Sequence, residues 1–181
     1  MRIIAGQWRG RTIEAPPGDA TRPTKDRVRE ALFSMLASRL GTFEGLRIAD
    51  LFAGSGALGL EALSRGAAHC TFVERDPAAI KSLETNIATL NANADIRRGS
   101  AEGLGAQAKS CDLIMMDPPY GSDLADKVLA NLTKQGWIGP SSWISVETER
   151  GAAITSDSLM VEAIRQFGKA QIILMRTIAT T

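Results

Sequence analysis

The stretch Asp117-Pro118-Pro119-Tyr120 combines a carboxylate, two prolines and an aromatic ring directly after the apolar run 113–116. A preceding strand would fix the carboxylate, the prolines restrict φ and remove two N–H donors, and the ring offers a flat face to a flat ligand. Such a group is suited to gripping a planar base through its exocyclic amine. Asp-Pro-Pro is also ordinary turn chemistry, so a plain turn after a strand stays open as the alternative for the tetrapeptide alone.

A glycine-rich loop follows an earlier apolar run. Gly54, Gly56 and Gly59 have the spacing Gly-x-Gly-x-x-Gly, and Glu74 ends the next apolar run, about twenty residues past the first glycine. Glycines allow the backbone to approach a ligand, and a carboxylate at this distance binds the hydroxyls of a ribose. The loop and its acidic partner therefore predict a site for a nucleoside cofactor.

A second carboxylate bears on which cofactor this is. Asp50 lies near the end of the strand that precedes the glycine loop. A negative charge there would repel a pyrophosphate but would complement the ammonium of a methionine moiety. We therefore expect S-adenosylmethionine rather than NAD. An NAD-linked oxidoreductase and a cofactor-fold protein that binds RNA without turnover are the alternatives from other functional classes.

The motifs fall on a regular alternation of strands and helices. Strands are predicted at 46–52, 70–74, 96–100, 112–116 and 143–147, and helices at 24–40, 57–65, from 77, and at 124–135. Two further extended runs, 159–167 and 171–178, flank Gly168-Lys169 and predict an antiparallel hairpin. Together these elements predict an α/β, Rossmann-like fold with a mostly parallel seven-stranded sheet flanked by helices.

Positive charge is concentrated near the N-terminus. Residues 1–29 contain seven basic and three acidic side chains, although the net charge of the whole chain is +1. A basic segment beside a mildly acidic body favours a polyanionic partner, and a plain solvated terminus is the alternative. We predict a basic β-hairpin or extended arm over 1–23 and a domain over 24–181. On the first helix, Lys25, Arg29 and Arg39 are expected on the polar face.

Composition narrows the class of protein. The chain has 181 residues, 44% of them apolar and 23% charged, which is typical of one soluble globular domain. It contains no apolar run of membrane-spanning length and no signal-peptide pattern, so we expect a cytoplasmic protein. Cys70 and Cys111 are expected to be buried structural residues. Together with the single histidine, His69, they are too few to form a zinc site, so no metal is expected.

The motifs also carry a family resemblance. Phe52-Ala53-Gly54-Ser55-Gly56 followed by Asp117-Pro118-Pro119-Tyr120 resembles the amino-methyltransferases that modify exocyclic or amide nitrogens. The chain further resembles the bacterial small-subunit ribosomal RNA guanine-N2 methyltransferases over the blocks 2–6, 9–11, 22–33, 54–65, 136–137 and 146–147. This resemblance covers essentially the whole chain, and the N-terminal blocks are its specific part.

The resemblance implies a class I methyltransferase domain with a small N-terminal β-hairpin extension. It implies methylation of a guanine N2 amine in 16S ribosomal RNA, in a 30S subunit or an assembly intermediate, with S-adenosylmethionine as the methyl donor. Methylation of adenine N6 in nucleic acid, or of a glutamine amide in protein, is the alternative, because the same tetrapeptide serves those amines.

The resemblance also assigns residue roles. It implies catalysis by Asp117, Pro118, Pro119 and Tyr120, with the Asp117 side chain and the Pro118 carbonyl accepting the two amine N–H groups and Tyr120 stacking on the base. The implied cofactor-binding residues are Thr24, Asp50, Phe52, Gly54, Ser55, Gly56, Glu74, Arg75, Ser100, Ala101 and Asp117. The implied RNA-binding residues are Trp8, Arg9, Arg11, Arg22 and Arg27, which would hold phosphates around the target base.

Two of these assignments have an alternative explanation, and at a third place the sequence departs from the family pattern. Thr24 is equally well explained as a helix cap, and Trp8 as a residue packed beneath the N-terminal hairpin. Ser100-Ala101 stands where the family often has an acidic or amide residue before the alanine.

Overall fold

The computed structural model describes residues 1–16, 23–121 and 123–178, without the side chains of Pro23 and Thr24. In the described part of the chain a single sheet is flanked by helices. In chain order the elements are α1 (Pro23–Leu40), β1 (Arg47–Leu51), α2 (Ala57–Ser64), β2 (His69–Glu74), α3 (Pro77–Leu90), β3 (Ala94–Arg98), a 3₁₀ turn (Ala101–Gly103), β4 (Cys111–Met116), α4 (Leu124–Lys134), β5 (Ile138–Glu149), β6 (Leu159–Phe167) and β7 (Ala170–Thr177).

The sheet has seven strands in the order β3-β2-β1-β4-β5-β7-β6. The five strands from β3 to β5 are parallel, whereas β7 pairs antiparallel with both β5 and β6. The predicted α/β fold, with its mostly parallel sheet and C-terminal antiparallel hairpin, is confirmed. Within the described ranges, no helix is both long and apolar enough to cross a membrane.

Two apolar cores lie on opposite faces of the sheet. Along β4, Leu113 and Met115 belong to the core shared with α1, α2 and α3, whereas Ile114 and Met116 belong to the core shared with α4. Side chains alternate between the faces of a strand, so a strand covered on both sides must be apolar throughout. The uninterrupted apolar run before Asp117 is therefore a consequence of burial on both faces.

Two strand boundaries differ from the prediction. The prediction placed β3 at 96–100, but the strand ends at Arg98, and Ser100 lies beyond it as the cap of the 3₁₀ turn. The Ser100 hydroxyl accepts a hydrogen bond from the Glu102 amide at 3.3 Å, which favours a turn over an extended chain here. β5 begins at Ile138 rather than at 143, because an irregularity lets both Ile138 and Trp143 pair with β4.

The described N-terminal segment 1–16 packs against the domain. Its two limbs are paired by one isolated antiparallel bridge between Arg2 and Thr12, and Ile3 and Ile13 are each only 2% exposed. The fully buried Glu61 of α2 accepts hydrogen bonds from the amides of Ile4 and Ala5 at 2.7 and 3.0 Å. A buried carboxylate must be satisfied in this way, so these bonds tie the segment to α2.

The predicted position of Arg29 on the polar face of α1 is wrong. Its side chain is 5% exposed and donates to the Arg2 carbonyl at 2.6 Å and to Asp26 at 3.2 Å. Burial lowers the pKa of the guanidinium, and the neighbouring Asp26 opposes that shift. Arg29 therefore fastens α1 to the N-terminal segment and adds no charge to the surface.

Cys70 and Cys111 are both free and buried.

Candidate cofactor and substrate site

The carboxyl ends of the parallel strands surround a cavity of about 490 Å³. Ligands of open α/β sheets bind at this edge, beside the point where the strand order reverses. The loops after β1, β2, β3 and β4 contribute to the walls, and β5 contributes Glu147. The lining residues are Lys25, Phe52, Val73, Glu74, Arg75, Gly99, Ser100, Ala101, Glu102, Asp117, Pro118, Pro119, Tyr120, Leu124 and Glu147.

The glycines of the loop after β1 have different structural roles. Gly54 has φ +55°, and nothing lies within 4 Å of the place where a Cβ would stand, so this position offers open space to a ligand. A Cβ on Gly56, with φ +80°, would lie 2.4 Å from Leu83, and one on Gly59 would lie 2.3 Å from the Phe72 ring. The first glycine therefore leaves room for a ligand, and the other two allow α2 to pack closely on the sheet and α3.

The Glu74 carboxylate lines the cavity and organises its surroundings. Its Oε2 accepts from the Gly54 amide at 2.8 Å, and its Oε1 accepts from the amides of Arg75 and Asp76 at 2.7 and 2.9 Å. A carboxylate offers about four lone-pair sites. Glu74 can therefore hold the glycine loop and still accept a hydrogen bond from a ribose hydroxyl.

Several predicted cofactor residues do not reach the cavity wall. Asp50 is 2% exposed, and its carboxylate accepts from the Gly59 amide at 2.8 Å in the first turn of α2. Burial, together with the charges of Asp117 and Glu74, raises the pKa of Asp50 to about 8, and the hydrogen bond from the Gly59 amide opposes the rise. Neither Asp50 nor Gly54, Ser55 and Gly56 belong to the lining, whereas Phe52 does and has a left-handed φ of 60°.

The loop after β3 brings a carboxylate that the sequence analysis did not assign. Ser100 and Ala101 line the cavity as predicted for the adenine edge, and the next residue, Glu102, lines it too. The Ser100 hydroxyl lies 3.2 Å from a Glu102 carboxylate oxygen. The acidic group that the family often has before the alanine therefore stands after it in this chain.

The tetrapeptide begins where β4 ends. Met116 pairs with Val146 of β5, so Asp117 and Glu147 follow at adjacent positions of neighbouring strands. The exposed ring of Tyr120 reaches over this edge, and its hydroxyl donates to Glu147 Oε1 at 3.0 Å. Burial and the Glu147 charge both raise the pKa of the Tyr120 hydroxyl, which stays protonated at neutral pH.

Glu147 and Lys25 are site residues that the sequence analysis did not assign. Burial raises the pKa of Glu147, while the Tyr120 hydrogen bond and the Lys25 charge oppose that rise. Glu147 also lines an adjoining cavity of about 230 Å³ on the other side of the tetrapeptide. The available signal was its position, since the strand predicted at 143–147 ends on this residue next to the strand that carries Asp117.

The structure does not bring Arg9 and Arg11 to the cavity. Trp8 donates its amide to the Ser64 hydroxyl at 3.0 Å, and the Arg11 guanidinium donates to the Thr89 carbonyl at 3.0 Å. These partners lie at the C-terminal ends of α2 and α3, which return the chain to the opposite edge of the sheet. Neither arginine lines the cavity, because the segment docks at the far ends of these helices.

Two other residues predicted to contact RNA, Arg27 and Trp8, lie at different places on the protein. Arg27 lines a separate groove of about 550 Å³ together with Arg165 and Phe167 of the C-terminal hairpin. The ring of Trp8 is half-buried against the core formed by the helices. Arg22 and the side chain of Thr24 lie outside the described residues.

In the ranges that the structure describes, no three His, Cys, Asp or Glu side chains are grouped to hold a metal ion.

Known proteins resemble this chain in sequence. A family model described as Conserved hypothetical protein 95 matches residues 1–176. Ribosomal RNA small subunit methyltransferase D of Escherichia coli (strain K12) is 44% identical over 151 residues, which are 82% of this chain and 75% of that protein. The protein of the same name from Haemophilus influenzae is 38% identical over 156 residues, with 83% of this chain and 79% of that protein covered.

Solved structures agree with the sequence relatives. A candidate methyltransferase from Escherichia coli, yhhF, superimposes with a TM-score of 0.88 at 38% identity and with 99% of each chain covered. A ribosomal protein L11 methylase from Lactobacillus delbrueckii, at 15% identity and a TM-score of 0.73, shares the fold. The class I methyltransferase fold is confirmed, and S-adenosylmethionine is the cofactor, which the cavity fits through Glu74 and the open space at Gly54. The chain belongs to the Conserved hypothetical protein 95 family, among the relatives of ribosomal RNA small subunit methyltransferase D.

Proposed function

We propose that this protein methylates the exocyclic N2 amine of a specific guanine in small-subunit (16S) ribosomal RNA. The observation that carries the proposal is the placement of Glu74 and the tetrapeptide 117–120 on the walls of one cavity. A nucleoside cofactor and a planar amine can meet there. The names of the two curated relatives support small-subunit ribosomal RNA as the substrate.

The chemical difficulty lies in the nucleophile. The lone pair of an aromatic amine is delocalised into the ring, so the amine attacks poorly unless it is held in a pyramidal geometry. The Asp117 carboxylate and the Pro118 carbonyl accept its two N–H groups and direct the lone pair toward the methyl group. Tyr120 stacks on the base, and its ring orientation is fixed by the hydrogen bond to Glu147.

The remaining residues hold the methyl donor. S-adenosylmethionine supplies an electrophilic methyl group on a sulfonium. Glu74 accepts from the ribose hydroxyls, Phe52 and Arg75 border the nucleoside, and Ser100 with Ala101 border the adenine. These residues bind and orient, and the reaction needs placement and electrostatics more than a strong base.

The substrate base must be presented outside a helical stack. A guanine paired within folded RNA is unstacked before it enters such a pocket, or it lies in a loop. The proposed substrate is this base within a 30S subunit or an assembly intermediate. In this proposal Arg27 contacts RNA near the site, and Trp8, Arg9, Arg11 and Arg22 contact more distant parts of a large substrate.

The test measures the product and the role of Asp117 together. Wild type, Asp117→Ala and the exposed control Asp157→Ala are incubated with S-adenosylmethionine and unmethylated 30S particles, and RNA nucleosides are identified by mass spectrometry. Wild type and Asp157→Ala should form N2-methylguanosine. Asp117→Ala should lose transfer while its affinity for S-adenosylhomocysteine stays within a few-fold of wild type.

Two outcomes would reject the proposal. Formation of N6-methyladenosine, or methylation of protein instead of RNA, would replace guanine N2 as the target. Near-normal turnover by Asp117→Ala would reject the assigned grip on the amine.

A further inference from the structure

Asp117 and Glu147 stand at neighbouring positions of adjacent strands at the carboxyl edge of the sheet. Met116 and Val146 are partners in the parallel pairing of β4 and β5, so the two acids follow at the next position of each strand. Neighbouring strands lie about 4.8 Å apart. Two acceptors at that spacing can contact adjacent donors on one edge of a planar base.

Glu147 is placed to act on a ligand. It borders both the main cavity and the smaller cavity next to it. Its Oε1 accepts the hydrogen bond from Tyr120 at 3.0 Å. A carboxylate can accept several such bonds. Removing a carboxylate from water is costly, so a half-buried one gains from a donor brought by the substrate.

The pattern of donors differs between the two candidate bases. The Watson–Crick edge of guanine carries the N1–H donor directly beside the N2 amine. The same edge of adenine carries the N6 amine beside N1, which is an acceptor. A carboxylate next to the one that grips the amine therefore complements guanine and repels adenine, and enzymes that flip a base read this edge.

We propose that Glu147 is the residue that selects guanine, by accepting the N1–H while Asp117 and Pro118 hold the N2 amine. This inference rests on the proposed function and extends it to the choice of base. Tyr120 then has two contacts, its ring on the base and its hydroxyl on Glu147. A competing explanation is that Glu147 acts only by positioning Tyr120, and the two roles respond differently to substitution.

The experiment uses an RNA in which the Watson–Crick edge of the target base is changed. A segmented small-subunit RNA, assembled into particles, carries guanine or 2-aminopurine at the position that wild type methylates. The analogue keeps the 2-amino group but has a lone pair at N1 in place of the N–H and lacks the O6 acceptor, so the N1 contact is isolated by comparing the preference of Glu147→Gln with that of wild type. Wild type should prefer guanine in kcat/KM by a factor on the order of ten or more, the effect of a hydrogen bond to a charged group.

Variants separate base selection from the positioning of Tyr120. Glu147→Gln can donate to the N1 lone pair, so its preference for guanine should fall toward unity or reverse. Tyr120→Phe removes the hydroxyl contact but keeps the carboxylate, so its rates should fall on both substrates while the preference is retained. Thermal unfolding and S-adenosylhomocysteine binding verify that both variants are folded.

The outcomes distinguish the inference from the proposed function. If wild type forms no N2-methylguanosine, the proposed function fails and the inference fails with it. If wild type methylates guanine but uses 2-aminopurine equally well, only the role of Glu147 is rejected, whether or not the variants fold. A Glu147→Gln variant that keeps the wild-type preference would reject it as well.

Discussion

The Glu74 carboxylate accepts a hydrogen bond from the Gly54 amide at 2.8 Å, which joins the end of β2 to the glycine loop after β1. Both residues belong to the glycine-loop pattern and its acidic partner that predicted the cofactor site, and the bond shows that they also form one structural unit. A ligand that binds Glu74 therefore meets a loop already fixed in position. Preorganisation of this kind lowers the entropic cost of binding.

The first prediction concerns this unit. Glu74→Ala should weaken S-adenosylhomocysteine binding by about 1.5–3 kcal/mol, because a hydrogen bond to a charged group is lost and the Gly54 amide loses its acceptor. Glu74→Gln keeps one oxygen for that amide and should lose less. Isothermal titration calorimetry measures both affinities, with the exposed Glu44→Ala as the control. Wild-type affinity in Glu74→Ala would refute the assignment of the ribose contact.

The second prediction follows from the buried Asp50. Its pKa is raised from 3.8 to about 8 in the folded protein, chiefly by burial. Between these values the native state holds a proton that the unfolded state has lost. The Asp50 contribution to the free energy of unfolding therefore falls as the pH rises through this window and is constant above about 8.

Asp50→Asn isolates this contribution. The amide cannot titrate, yet its oxygen can still accept from the Gly59 amide. Urea unfolding at a series of pH values should show wild type losing stability relative to the variant from about pH 5 to pH 8, by up to about 1.4 kcal/mol per pH unit. Parallel stability curves for the two proteins would mean that Asp50 is ionised throughout.

The sequence predicted the parts of the fold that have a strong local cause. The strands β1, β2 and β4, the helix that begins at Pro77 and the Gly168 hairpin were placed correctly because periodicity and turn residues fix them locally. The C-terminal position of Asp117 on β4 follows from the same signals. Functional residues at the ends of parallel strands can therefore be predicted from sequence when the strands themselves can be predicted.

The environment of single charged side chains was not predictable in the same way. Glu61 is fully buried because amides far away in the sequence, those of Ile4 and Ala5, reach it. Arg29 is buried because the N-terminal segment supplies an acceptor at Arg2. Both contacts join segments that are far apart in the sequence. Periodicity within one helix cannot detect such a partner, so it predicts that a charged side chain faces solvent. The contact of Asp50 with the Gly59 amide in the next helix has no local pattern either.

The third prediction tests the close packing of α2 on the sheet. Gly59→Ala gains up to about 1 kcal/mol of helix propensity, but the new Cβ would lie 2.3 Å from the Phe72 ring and 2.6 Å from Cys70 Sγ. Overpacking of this kind costs about 1–3 kcal/mol, so the variant should lose stability overall. Denaturant unfolding measures the change, with Gly105→Ala as a control that has open space around the added Cβ. A Gly59→Ala variant more stable than wild type would show that the Phe72 and Cys70 side chains move aside without cost.

The last prediction concerns the arginines of the N-terminal segment, which lie at the edge of the sheet opposite the cavity. Phosphate contacts make RNA binding salt-dependent, and each lost contact reduces the log–log slope by about 0.7–0.9. Joint replacement of Arg9 and Arg11 by alanine should therefore weaken binding to whole 30S particles and flatten its salt dependence. A short RNA that carries only the target loop should bind the variant and wild type equally, because it cannot span from the cavity to these side chains.

A matched control removes the same charge elsewhere. Lys134 is the last residue of α4, Lys109 lies in the segment before β4, and both are exposed. Their joint replacement by alanine should leave the slope unchanged. Affinity for S-adenosylhomocysteine should be the same in all three proteins, since none of these residues lines the cavity. If the Arg9 and Arg11 variant keeps both the wild-type slope and normal methylation, these two arginines do not contact the RNA. RNA recognition must then depend on groups nearer the site, of which Lys25 and Arg27 are the first to replace.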